Sequence, residues 1–350
     1  MAREKWLINP GELDEFQRKI RELSIDDSYV IKGCAGSGKT VLALYRANDI
    51  RIKALAEDKP ADFTMLVYTK VLREFIKSGI LDLGLKLNQI VVEEGWDGDE
   101  VDYIVVDEAQ DFSTEKINAF SAAKRKSIML YGDTQQQLYS GSLSTEEIAK
   151  LLDVEQKELK LNYRLPKTIA SFASHVISDS TFETKCVKVG VDKPRLMQFA
   201  TWQKELDFIA GEIQTRNYTD VGILLPFNTS NSAPRRNGHR NVDSVQRYFE
   251  SIGIRVECKI RDERDRMDLD FDSDLPKVMP YHSSKGLQFE TVFIPFCDVP
   301  CDSPIHRDWY LPRYRRPFYV ALTRSYRNLY LTYSSTLSPF INDIPKSKYD

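Results

Sequence analysis

The chain has 350 residues, of which 42% are hydrophobic and 29% charged, and its formal net charge is −3. That length suits two domains of roughly 150–200 residues rather than one core, and the composition is that of a soluble globular protein. A balance this close to neutral gives no global basic signal, so any contact with nucleic acid must come from a local patch.

The N-terminus, MAREKWLINPGELDEF, lacks the continuous apolar stretch of a secretory signal. No apolar run approaches the ~18 residues that span a bilayer. A cytoplasmic protein without a membrane partner is expected. In residues 11–23, Leu13, Phe16, Ile20 and Leu23 recur at helical spacing, with Gly-Glu-Leu-Asp as the start. Gln17 falls on this helix. It is either a solvated glutamine or a reader of adenine, whose N6 and N7 a Gln amide can pair.

The run Gly33-Cys34-Ala35-Gly36-Ser37-Gly38-Lys39-Thr40 has the spacing of a phosphate-binding loop. Ser28–Ile31 before it reads as a buried strand and Val41–Ala47 after it as an amphipathic helix, which is the setting such a loop requires. Its glycines let backbone N–H groups curl around phosphate at a helix N-terminus. Lys39 is expected to reach the β- and γ-phosphates and Thr40 to hold Mg²⁺. A nucleoside triphosphate site follows.

Phe63–Tyr68 reads as a second strand, ending at Thr69-Lys70 before a helical pattern. These two residues either touch a phosphate backbone or form a helix cap followed by a surface lysine. Val101–Val106 runs into Asp107-Glu108-Ala109-Gln110-Asp111. Carboxylates at that strand end suit Mg²⁺ orientation by Asp107 and proton abstraction from water by Glu108. Ser127–Tyr131 ends in Gly132-Asp133-Thr134-Gln135-Gln136-Gln137, where an amide could hold water or sense phosphate.

Residues 142–160 read as helical and charged, and a domain boundary is placed at 160/161. Val221–Leu225 and Ile254–Cys258 read as strands of a second series, as does Thr291–Ile294. Asn228–Asn241 reads as a mobile surface loop whose Arg235, Arg236 and Arg240 could contact phosphate, as could the basic stretch Arg313–Arg316. Arg261–Asp274 reads as a solvated mixed-charge loop. The cysteines Cys34, Cys186, Cys258, Cys297 and Cys301 are odd in number and scattered, as expected of reduced thiols. Cys297 and Cys301 near His306 raise a metal site as the alternative to packing cysteines, although their spacing matches no common finger.

Taken in order, these blocks resemble superfamily 1 helicases of the UvrD/Rep type (superfamily 1A), and the resemblance covers most of the chain. It implies an α/β fold of two tandem RecA-like domains with parallel sheets, a P-loop NTPase with domain 1A at 1–160 and domain 2A at 161–350. ATP with Mg²⁺ is the implied cofactor, and Gly33, Gly36, Ser37, Gly38, Lys39 and Thr40 the implied loop contacts. Leu13–Arg18 is similar to the adenine-reading Q motif, which implies that Gln17 binds the base. Asp107 with Thr40 is implied as the metal pair, Glu108 as the base and Gln136 as the γ-phosphate sensor.

Asn162-Tyr163-Arg164 is similar to motif IV, which implies adenine stacking by Tyr163 and γ-phosphate contact by Arg164. His282–Phe289 is similar to motif V, with Gly286 and Gln288 at nucleotide-binding positions. Tyr319–Arg324 is similar to motif VI, making Arg324 the arginine finger. Thr69, Lys70, Tyr139 and His282 are implied at the strand of nucleic acid.

The chain carries Gln288 where the family usually has Glu, and Ser140-Gly141-Ser142 where an aromatic and Arg commonly follow motif III. Only 35 residues separate Thr69 from Val105 and 22 separate Ile260 from Ser283, too few for the family's 1B and 2B insertions. The Lys-Gly-Leu-x-Phe form of motif V is similar to that of the 3′→5′ group. The implied function is an ATP-dependent translocase or helicase on single-stranded DNA, with RNA not excluded, working with a partner such as a nuclease in DNA repair or phage defence. The competing expectation is an ATP-gated regulatory subunit of such a partner, with little unwinding of its own.

Overall fold

A computed structural model of the chain describes residues 6–138, 141–190, 192–226, 241–258, 269–298 and 314–350. The chain divides into two compact units, Lys5–Tyr163 and Arg164–Asp350.

In the first unit α1 (Glu15–Arg21), β1 (Tyr29–Gly33), α2 (Lys39–Ala56), β2 (Phe63–Val67), α3 (Lys70–Ile80) and β3 (Ile90–Val92) come first. They are followed by β4 (Val101–Val106), α4 (Thr114–Ala123), β5 (Lys124–Gly132), α5 (Thr145–Leu152) and β6 (Glu155–Leu159). The strands form one parallel sheet in the order β3-β2-β4-β5-β1-β6. Helices cover both faces of such a sheet, so its central strands are near-continuous apolar runs. Val30, Ile104, Val106, Ile128 and Leu130 are buried with Phe112, Ile117 and Phe120 in one core. Each such side chain contributes about 1.5–3 kcal/mol on burial. The strand order makes β4, β5 and β1 consecutive neighbours. Their carboxyl ends therefore bring Gly33, Asp107 and Asp133 together.

The expectation of helix throughout 142–160 is corrected. Helix α5 stops at Asp153, whose left-handed φ of 51° ends it, and β6 then pairs in parallel with β1. β6 is an edge strand reading Glu-Gln-Lys-Glu-Leu, in which only Leu159 is buried. Charge on an exposed edge discourages pairing with another chain, and in sequence it is easily read as a solvated helix face.

The second unit contains α6 (Lys167–Ile177), β7 (Arg195–Gln198), α7 (Trp202–Arg216), β8 (Val221–Leu225), α8 (Val242–Ser251), β9 (Glu257–Cys258) and β10 (Lys277–Pro280). Next come β11 (Phe289–Ile294), a helix over 314–322 termed α9, β12 (Ser325–Tyr333) and α10 (Pro339–Asn342). Its parallel sheet has the order β7-β12-β11-β8-β10-β9. Leu206 and Ile209 of α7 and Val245 and Phe249 of α8 pack on Val221, Ile223, Val278 and Phe293 of the strands. Gly222 is required by this packing, because a Cβ there would lie 2.6 Å from the Phe289 ring. The strand expected over Ile254–Cys258 shortens to β9. Leu269 and Phe271 are buried, so that end of the segment expected to be solvated is packed.

Among the described residues no helix is long and apolar enough to cross a membrane, and no group of three metal-ligating side chains occurs. Cys34, Cys186, Cys258 and Cys297 are free thiols. Tyr139, Ser140, Arg235, Arg236, Arg240, residues 261–268, Cys301, His306 and Arg313 lie outside the described residues.

Candidate functional site

The loop between β1 and α2 takes its shape from its glycines. Gly36 and Gly38 have φ of 74° and 90°, the left-handed region that costs glycine little. A Cβ on Gly33 would collide with Ser37 Oγ and sit 3.2 Å from Leu159 Cβ, so the loop closes tightly on itself and on β6. Gly38 caps α2, whose first-turn N–H groups have no partner within the helix. The Lys39 ammonium donates to Gly33 O at 2.9 Å and Cys34 O at 3.1 Å. Ser37 Oγ is buried without a hydrogen-bond partner.

Gln17 ties α1 to this loop. Its Oε1 accepts from Asp14 N at 3.2 Å, completing a capping box, and its Nε2 donates to Ser37 O at 3.1 Å. The residue is only 2% exposed. A Cβ on Gly38 would approach Gln17 Nε2 to 2.6 Å. Tyr163 is tethered to the same loop, its N–H donating to Gly36 O at 2.9 Å, while its hydroxyl is buried without a partner.

Across the sheet, Thr40 Oγ1 donates to Asp107 Oδ2 at 2.7 Å. The two residues expected to hold the metal are therefore in contact although 67 positions apart. Burial, and next the charge of Glu108, push the Asp107 carboxyl up from 3.8 to about 7; the Thr40 hydrogen bond and Lys39 oppose the shift. Such a buried carboxylate beside a hydroxyl is an all-oxygen donor set suited to Mg²⁺, whose charge reverses the penalty for ionisation. With the closed loop and the unsatisfied Ser37 hydroxyl, these residues fit a Mg²⁺–triphosphate.

Glu108 takes a left-handed φ of 54°, uncommon for a residue with a side chain. Its Oε2 accepts from Gln110 Nε2 at 2.7 Å. Gln110 Oε1 in turn accepts from Asp133 N at 2.8 Å. The Asp133 carboxylate accepts from Gln136 Nε2 at 2.6 Å and lies 3.8 Å from the Lys39 ammonium. A buried chain thus links Glu108 through Gln110 and Asp133 to Gln136. Gln110 and Asp133 were given no role from sequence. The available signal was a Gln and an Asp beside carboxylates at two strand ends that the sheet order makes adjacent.

In the second unit Arg164 Nε donates to Gln288 Oε1 at 3.2 Å. Gly286, two residues earlier, has φ 79°. Arg324 is 1% exposed. It donates from Nε to Val320 O at 2.8 Å, from Nη1 to Leu287 O at 3.3 Å and from Nη2 to Thr323 Oγ1 at 2.9 Å. His282 is half-buried in the turn after β10. Thr69 caps α3 by accepting from Leu72 N at 3.0 Å, and Lys70 lies 3.7 Å from Glu94. Arg315 of the basic stretch donates to Val176 O at 3.1 Å.

Two family models match the chain. Residues 26–189 match the Schlafen group 3 DNA/RNA helicase domain and residues 259–336 the UvrD-like helicase C-terminal domain. The chain carries UvrD/Rep-like helicase domains. Its two parallel sheets are tandem RecA-like domains. A protein of Acanthamoeba polyphaga mimivirus named "Putative ATP-dependent DNA helicase" is 23% identical, over 69% of this chain and 36% of that protein. This UvrD/Rep-like chain therefore spans about a third of the length of that relative. Among solved structures, the PRRSV helicase is 13% identical with a TM-score of 0.45, covering 94% of this chain and 57% of that one. Arterivirus nonstructural protein 10 (helicase) is 15% identical with a TM-score of 0.44, covering 91% and 61%.

Proposed function

We propose that the chain is an ATP-dependent translocase or helicase on single-stranded DNA, moving 3′→5′ and acting in the cytoplasm with a protein partner such as a nuclease. The observation that carries the ATPase part is the Thr40–Asp107 contact beside a Glu108 whose carboxylate is held by Gln110.

In this reading Mg²⁺–ATP, when bound, supplies the phosphoanhydride and the charge that orients it. Lys39 leaves its carbonyl acceptors for the phosphates, and the loop and α2 N–H groups cradle them. Thr40 and Asp107 would hold the ion. Glu108 takes the proton of the attacking water, and its link through Gln110 to Asp133 and Gln136 keeps base and sensor in register. Gln17 and Tyr163 flank the base, with Gly286 and Gln288 at the nucleotide's edge. Arg164 and Arg324 of the second unit bring positive charge to the γ-phosphate, an effect typically worth about 10³–10⁵ in rate. Thr69, Lys70, Tyr139 and His282 grip the strand, and alternating grip makes each turnover a step.

Steady-state ATPase rates with and without single-stranded DNA test this, with RNA as the comparison and Glu108→Gln as the control. The expected result is a DNA-stimulated rate that the Glu108→Gln variant lacks. A wild-type rate indifferent to any strand would refute the motor and favour an ATP-gated regulatory subunit.

A further inference from the structure

We propose that Arg46 and Asp49 of α2 are positioning residues for selection of the base: they clamp the C-terminal half of α1 and thereby hold the Gln17 amide in one orientation. The inference rests on the reading of Gln17 as a base contact.

An amide can tell one purine from another only if its two ends cannot exchange. Adenine offers a donor at N6 and an acceptor at N7, whereas guanine offers acceptors at both O6 and N7. At Gln17 the ends are fixed by their partners. The Asp14 N–H can only donate, so it meets Oε1 at 3.2 Å, and Ser37 O can only accept, so it meets Nε2 at 3.1 Å. An amide oxygen has a second lone pair and an amide nitrogen a second N–H, and these match the N6–N7 edge of adenine. Toward guanine the same oxygen would face O6, another acceptor.

This lock is only as firm as the helix that carries it. α1 has 7 residues, short of the ~12–15 at which an isolated helix holds, so its place comes from packing. Arg46, 3% exposed, supplies much of it. It donates from Nη1 to Leu23 O at 3.0 Å and from Nη2 to Ile20 O at 3.3 Å. Ile20 is in the last turn of α1 and Leu23 just beyond it, at the helix's negative end, where a cation is favoured. One turn further along α2, Asp49 accepts from Arg21 Nε at 3.0 Å and from Arg21 Nη2 at 2.8 Å, a two-pronged pair. The Arg21 guanidinium also lies 4.8 Å from the centre of the Tyr45 ring. α2 begins with Lys39 and Thr40, about 10 Å along its axis from Arg46. A single helix thus opens at the phosphate loop and carries the clamp on the base reader.

The test measures dissociation constants of the full chain for Mg²⁺–ATP, Mg²⁺–GTP and tripolyphosphate by displacement of a fluorescent nucleotide, with circular dichroism as the check on folding. Tripolyphosphate reports the phosphate loop without a base. Gln17→Ala is expected to lower the preference for ATP over GTP by about tenfold, the size of one net hydrogen bond. Arg46→Met should lower it by about as much, and Arg46→Lys, which keeps the charge, by less. Asp49→Asn is the second variant, because the Arg21 and Asp49 side chains are 27% and 19% exposed and tolerate change better than Arg46. It should lower the preference about threefold. Tripolyphosphate should bind the Arg46 and Asp49 variants as it binds wild type. Arg46→Met added to Gln17→Ala should cost no further preference, since a residue acting through another loses its effect once that other is gone.

Three results would each refute the positioning role: Gln17→Ala removes the preference while folded Arg46→Met and Asp49→Asn retain it; those variants lose tripolyphosphate as much as ATP; or the Arg46→Met loss adds in full to that of Gln17→Ala. If Gln17→Ala itself leaves the preference intact, the reading of Gln17 as a base contact fails, and the inference with it.

Discussion

Gln110 offers the sharpest test of the first unit's chemistry. It donates to Glu108 Oε2 at 2.7 Å and accepts from Asp133 N at 2.8 Å. Gln110→Glu keeps the size and the acceptor facing Asp133 but turns the donor into a second carboxylate oxygen against Glu108. Two like charges about 4 Å apart repel by about 4 kcal/mol at an effective dielectric near 20, equivalent to about three pKa units. The pair should therefore keep one shared proton at neutral pH, and its titrations belong to the pair. A base that already holds a proton cannot take another, so kcat should fall by about threefold at pH 7 and about 20-fold at pH 6 and recover as pH rises. Gln110→Ala makes the contrast. It loses a hydrogen bond to a charged group, about 1.5–3 kcal/mol, which raises the carboxyl by about one to two units and so moves the pH profile less than the added charge does. ATPase rates from pH 6 to 10 for both variants separate these effects. A folded Gln110→Glu enzyme with wild-type kcat and an unshifted profile would refute the assignment of Glu108 as base and Gln110 as its anchor.

Three further outcomes are expected. Lys39→Ala should abolish triphosphate binding in a fluorescence titration; affinity within twofold of wild type counts against the loop. Gly222→Ala forces a Cβ to 2.6 Å from the Phe289 ring, and overpacking of this kind costs about 1–3 kcal/mol, so urea unfolding of the second unit should shift to lower concentration. An unchanged midpoint contradicts that packing. Burial of Glu205 raises its carboxyl above the ordinary 4.5, with the nearby Asp298 charge adding to the shift and hydrogen bonds from Thr332, Phe296 N and Ser334 opposing it. The folded state then keeps a proton that the unfolded chain has released, so stability falls as pH rises through the window above 4.5. Glu205→Gln should flatten that slope; an identical slope in stability measured against pH would show that Glu205 does not titrate in this way.

The nucleotide site was legible because its signals are local. A strand, a glycine loop and a helix must follow one another for a phosphate to be cradled, and a carboxylate pair must close a neighbouring strand. Thr40 and Asp107 meet because the sheet order places β4, β5 and β1 side by side. Gln110 was illegible for the opposite reason. Its importance lies in bonds to two different strand ends, and no spacing along the chain encodes which strand lies beside which. β6 was misread because an edge strand buries only one residue of five and so shows neither an apolar run nor clear alternation. In the second unit, motif order singled out Arg164, Gln288 and Arg324 as candidates, whereas the bonds among their segments depend on packing between α9, β11 and the turn before it.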